Sequence, residues 1–105
     1  MPNAKRGEVW QVDLGLAAKV RPAVVLNIPF DDQERAVYAI VPHTRAIRRT
    51  HFEVTLSVSG LEPGAFDVQG LRHIPGTVLL RRITVLNQNQ LSQIEAATKL
   101  WLGLP

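Results

Sequence analysis

The side chains best equipped for chemistry in this sequence are arginines and histidines. Nine arginines stand against three lysines. Arginine's planar, permanently charged fork can hold two phosphate oxygens at once, where lysine offers a point charge. Between His43 and Phe52 lie Arg45, Arg48, Arg49 and His51 with no acid, and between Val68 and Ile94 lie Arg72, His73, Arg81 and Arg82, again with no acid. Arg21 stands outside both stretches, directly before Pro22 and an apolar run. This placement suits a polyanionic ligand, although two solvated faces with ordinary surface arginines would look the same. Histidine titrates near neutral pH and is the usual general base. No grouping of His43, His51, His73 and the carboxylates has recognisable metal spacing, so neither a metal nor a cofactor is expected. The chain has no cysteine, which excludes disulfide scaffolds, thiol nucleophiles and zinc–thiolate sites.

These residues must be positioned by a small scaffold. The 105 residues fit one domain, 1–105, of ordinary globular composition: 46% hydrophobic, 20% charged, net charge +3. A chain of this size buries only about two-thirds of its unfolded surface, so a partner copy would help it. No apolar run approaches the ~20 residues of a bilayer span. The opening Met-Pro-Asn-Ala-Lys-Arg does not resemble a signal peptide, so the expected compartment is the cytoplasm, with no membrane partner.

Glu8 to Asp13 alternates as a strand with one wet face. Pro22 to Pro29 carries a continuous apolar run suited to a buried strand, with Pro22 at its start or edge because it has no N–H for a ladder. Arg35 to Val41 is rich in strand formers. His51 to Ser57 alternates Phe52, Val54 and Leu56 against Glu53, Thr55 and Ser57. Asp31, Asp32 and Glu34 mark a hairpin turn, and Gly60, Pro63 and Gly64 another. Ala65 to Gln69 is a short strand, Arg72 to Leu80 is mixed, and Leu79 to Leu86 is a strand with Arg81 and Arg82 at outer positions. One helix closes the chain. Asn87 and Gln90 form a capping box between Leu86 and Leu91, and Leu91, Ile94, Thr98 and Trp101 follow helical spacing up to Gly103. The expected fold is mainly β, a small curved antiparallel barrel with a C-terminal α-helix.

Arg6-Gly7-Glu8-Val9-Trp10-Gln11-Val12-Asp13-Leu14, followed by Arg21-Pro22-Ala23-Val24-Val25-Leu26, resembles the opening of the MazF/PemK family of toxin endoribonucleases. Val41-Pro42-His43-Thr44 resembles the family's third-strand ending, Phe52-Glu53-Val54 its fourth strand, and Gln69 to Ile74 its second active-site segment. The resemblance implies an SH3-like barrel, a symmetric homodimer, and metal-independent cleavage of single-stranded mRNA to a 2′,3′-cyclic phosphate and a 5′-hydroxyl. It also implies a cognate antitoxin that wraps the toxin and blocks the site.

Such a reaction needs a base for the 2′-hydroxyl, a cation or donor on the phosphorane oxygens, and an acid for the departing 5′-oxygen. By resemblance Arg21 is the catalytic arginine. Thr44 is the hydroxyl that donates a hydrogen bond to the scissile phosphate. Lys19, Arg45, Arg48, Arg49, Gln69 and Arg72 are expected to bind RNA. His43 is the neighbour of Thr44 on a strand and should face the other way, which makes it structural. Trp10, Phe52 and Trp101 are assigned to the core, leaving Tyr38 and Phe30 as candidate stacking platforms. The Gly15–Val20 loop is short and lacks an element found in many members. Gln69-Gly70-Leu71-Arg72 carries one residue more than the usual spacing. A protein-binding toxin of the gyrase-poison type, or an inactive binding module on the same fold, is the alternative.

Overall fold

Glu8–Asp13 forms the first strand, β1, in the computed structural model, which describes residues 3–17 and 19–105. It is followed by β2 (Val20–Val25), β3 (Val37–Thr44), β4 (Glu53–Thr55), β5 (Ala65–Asp67), β6 (Arg72–Pro75), β7 (Leu79–Val85) and the helix α1 (Gln88–Leu102). All pairings are antiparallel, in the order β4-β5-β3-β2-β1-β7, with β6 also on β3. β5 and β6 share one edge of β3, β6 along its first half and β5 at its end. The sheet curls without closing: among the described residues no ladder joins β4 to β7.

Curling gives the sheet two buried faces. Successive side chains alternate across a strand, and paired residues share a face. Val9, Val24 and Val41 therefore align on one face and pack under Leu91 and Ile94 of α1. Val12, Ala23, Val25 and Ile40 align on the other and form a second cluster with Tyr38, Ile74 and Leu79. Fully buried Val9 and Val12 thus serve different cores, and apolar residues on both faces explain the near-continuous run in β2.

β2 begins at Val20, before Pro22, and ends at Val25, so the proline lies inside the strand. It is tolerated because Pro22 falls in the alternate set that turns toward β3, as Leu26 does, and the ladder to β3 starts only at Ala23, so no donor is missed. Beyond Val25 the Asn27 side chain takes over, its Oδ1 accepting from the Ala39 amide at 3.0 Å. β3 is longer than its run of strand formers and reaches Thr44. β4 is shorter, yet Phe52, Val54 and Leu56 all pack on the helix-side core, as their alternation requires. Arg72 to Leu80 resolves into β6 and a short 3-10 turn at Gly76–Val78.

The helix starts at the capping box. Asn87 accepts from the Gln90 amide at 2.8 Å, and Gln90 Oε1 accepts from the Asn87 amide at 2.9 Å. It ends where Gly103 turns left-handed, at φ 70°. Ile94 is fully buried, whereas Trp101 stays 43% exposed and packs beside Phe52 at 5.0 Å between ring centroids. Among the described residues no helix is long and apolar enough to cross a membrane.

Candidate active site

The arginine-glycine-glutamate run before β1 does scaffolding rather than chemistry. Arg6 pairs with Glu95 of α1 and donates to the Leu26 carbonyl. Gly7, at φ 88°, donates to Val25 O at 2.8 Å and accepts from the Leu86 amide at 2.9 Å. Glu8 is buried and accepts from the Lys5 amide at 2.8 Å, from Trp10 Nε1 at 3.0 Å and from Arg82 at 3.2 Å. Burial alone would raise its carboxyl; the three donors outweigh that and hold it below its usual 4.5.

The candidate site lies at the other end of β1 and β2. Gln11, Pro22 and Arg81 are held side by side by register, Gln11 opposite both of the others. Around them a cavity of about 470 Å³ is bordered by Lys19, Arg21, Arg45 and Arg81, with Glu62 as its one acid. Lys19 sits at φ 59° and donates its amide to Gly15 O at 2.6 Å, which fixes where the loop delivers it; Ala18 of that loop lies outside the described residues. Low-dielectric walls around like charges focus a positive field on any phosphate that enters.

The β2–β3 ladder ends at the Ala23–Pro42 pair, and Pro22, next along β2, has no N–H to extend it. Arg21 and Thr44 each lie two residues beyond that pair, on β2 and at the end of β3. Thr44 Oγ1 accepts from the Ala46 amide at 3.1 Å, which fixes the oxygen and leaves the O–H to donate. Arg21 borders the cavity from this end.

His43 is 97% buried and also borders the cavity, together with Arg45, while Thr44 between them takes the opposite face. The expected opposition of His43 and Thr44 therefore holds, but it brings the imidazole, not the hydroxyl, to the cavity wall. The ring meets Phe66 edge-on at 5.0 Å, and its enclosed Nε2 has no hydrogen-bond partner among the described residues. Burial lowers its pKa below 6.5, so it is neutral at pH 7. A Cβ on Gly64 would collide with the Thr44 carbonyl and come within 2.6 Å of His43 Cε1, so only glycine fits over the ring.

The remaining expected RNA contacts lie elsewhere. Arg48 and Arg49 are in the β3–β4 loop, with Arg49 at φ 60°. The loop wraps the Glu53 carboxylate, which accepts from the Arg48 and Thr50 amides, each at 3.0 Å; those bonds hold Glu53 below its usual 4.5. Gln69 is exposed on a 3-10 turn that Asp67 caps, and exposed Arg72 pairs with Ile40 along the edge of β3 remote from β2. Phe30 and Tyr38 meet edge-on at 5.3 Å, with Tyr38 buried in the second core. Gln11, Glu62 and Arg81 border the cavity without having been singled out by the sequence. Arg81 was legible as part of an acid-free stretch; the other two carry no signal before the register is known. Among the described residues no group of three or more His, Asp or Glu side chains is placed to hold a metal ion.

Comparison with known proteins agrees with this fold. Residues 5–102 match the family described as PemK-like, MazF-like toxin of type II toxin–antitoxin system. The endoribonuclease MazF9 of Mycobacterium tuberculosis is 35% identical over 114 residues, covering 95% of this chain and 97% of that protein. A mycobacterial endoribonuclease solved in complex with its cognate antitoxin superposes with a TM-score of 0.84 at 20% identity, over 98% of each chain. The M. tuberculosis toxin MazF-mt6 gives a TM-score of 0.80 at 23% identity, over 93% of this chain and 98% of that one.

Proposed function

Because this chain belongs to the PemK-like, MazF-like family of type II toxin–antitoxin toxins, we propose that it is an endoribonuclease cutting single-stranded mRNA in the cytoplasm. The observation that carries this reading is the cation-bordered cavity, with Arg21 on its wall. In the reaction the 2′-oxygen gives its proton to a base and forms a bond to phosphorus. The bond from phosphorus to the 5′-oxygen breaks, and that oxygen is protonated as it leaves. The products are a 2′,3′-cyclic phosphate and a 5′-hydroxyl. Charge accumulates on the non-bridging oxygens as the phosphorane forms; Arg21 is assigned to meet it from the cavity wall, and the Thr44 O–H is assigned by resemblance to the family. Lys19, Arg45 and Arg81 hold the flanking backbone by charge. Arg48, Arg49, Gln69 and Arg72 extend that track outside the cavity.

The proposed partners are single-stranded mRNA, a second copy of the chain, and an antitoxin whose acidic segment complements the cavity. The test incubates the protein with long RNA in EDTA and maps the new 5′ ends. Cleavage should survive chelation and fall about 10²–10³-fold in Arg21→Ala, the usual cost of losing one such stabilising group. RNA left intact by the wild-type protein overturns the reading. Growth arrest alongside intact RNA would instead favour a protein-binding toxin, for which exposed Leu100, Trp101 and Leu102 supply an apolar surface.

A further inference from the structure

The β4–β5 turn forms a wall with a hollow on each side. One side is the cationic cavity; the other is a slot of about 250 Å³ whose apolar surface comes from Ile47, Leu56, Val58 and Pro63. Leu61 and Glu62 border both. The Glu62 side chain is exposed and forms no ion pair or hydrogen bond with any described residue, although four cations border the same cavity. Beneath the wall Gly64, which lines the slot, lies against the buried ring of His43, which borders the cavity.

A nucleotide has the same division: an anionic phosphate joined to a flat base with apolar faces and polar edges. If phosphate occupies the cationic cavity, the adjoining apolar slot takes the base attached to it, because base faces are sequence-tolerant apolar surfaces. Selectivity then falls to the carboxylate on the rim. An ionised carboxylate only accepts hydrogen bonds, and the base edges that donate to it are the exocyclic amino groups of adenine, cytosine and guanine. Uracil has no amino group, and the carbonyls flanking its single N–H repel a carboxylate.

We propose that the slot bordered by Leu61 and Glu62 is a nucleobase subsite, in which Glu62 accepts a hydrogen bond from the amino group of the base and selects against uracil. The inference rests on the endoribonuclease reading for its ligand, and its test is separate from cleavage. Fluorescence anisotropy measures binding of uncleavable 2′-O-methyl heptanucleotides of adenine, cytosine or uracil to the wild-type protein and to Glu62→Gln. The wild type should bind the adenine or cytosine tract about tenfold or more tightly than the uracil tract. Glu62→Gln should narrow that ratio to about threefold or less, since an amide both donates and accepts. Equal binding of all tracts by the wild type, an unchanged ratio in Glu62→Gln, or no binding of any tract overturns the subsite. Absence of RNA cleavage by the wild type speaks instead against the endoribonuclease reading.

Discussion

Single residues in this protein divide between those that hold the site and those that meet a ligand. Glu8 is the clearest of the first kind, since three donors converge on one buried carboxylate. Glu8→Ala strands the Lys5 amide and the Trp10 indole N–H, and a buried donor left unsatisfied costs about 1–3 kcal/mol. Thermal unfolding should show a loss of that order. Because Glu8 titrates below its unfolded value, its contribution is fully present above about pH 4.5 and lost as pH falls through the folded pKa.

His43 has the same sign for a different reason. Its folded pKa is depressed by burial, so the unfolded chain binds the proton first. Stability is then full above about pH 6.5 and declines as the pH drops toward the folded value. His43→Gln should flatten the dependence of Tm on pH just below 6.5. A profile identical to wild type would place the acid sensitivity elsewhere.

At the scale of elements, what could be read from the sequence was what local chemistry dictates. The Glu8–Asp13 strand has the bounds its alternation gives, and the helix begins at its capping box and ends at its glycine. Asn87→Ala removes that cap and should cost about 1 kcal/mol, read as a lower urea midpoint with unchanged slope. Less was legible where a strand end depends on its neighbour. Pro22 lies within β2 because only one of its two sides needs a hydrogen bond, and no local pattern reveals which side is paired. The same holds for the site. The Arg21-Pro22 and His43-Thr44 motifs were visible as residues. The assembly of Gln11, Glu62 and Arg81 around one cavity with Arg21 and His43 follows from the pairing of distant segments. Arg81 and Arg82 looked equivalent, yet alternation sends Arg81 to the cavity and Arg82 to Glu8.

At the scale of the whole molecule, a sheet curled over two small cores still leaves apolar surface in water. Val85, Leu100, Leu102 and Leu104 are each at least half exposed. The homodimer proposed above would cover such surface, and stability would then depend on protein concentration by mass action. Tm measured over a hundredfold dilution should fall as the protein is diluted; a constant Tm would show that each chain is stable alone.

The open sheet has a further consequence, for solubility. Among the described residues β7 pairs only with β1, which leaves its other edge without a ladder. Unpaired edges recruit strands from other molecules, and charged side chains along them are a common safeguard. Arg81 and Arg82 are the charges on this edge. On the proposed reading the Arg81 guanidinium would serve twice, so a change there that alters the grip on nucleic acid would also alter the tendency to aggregate.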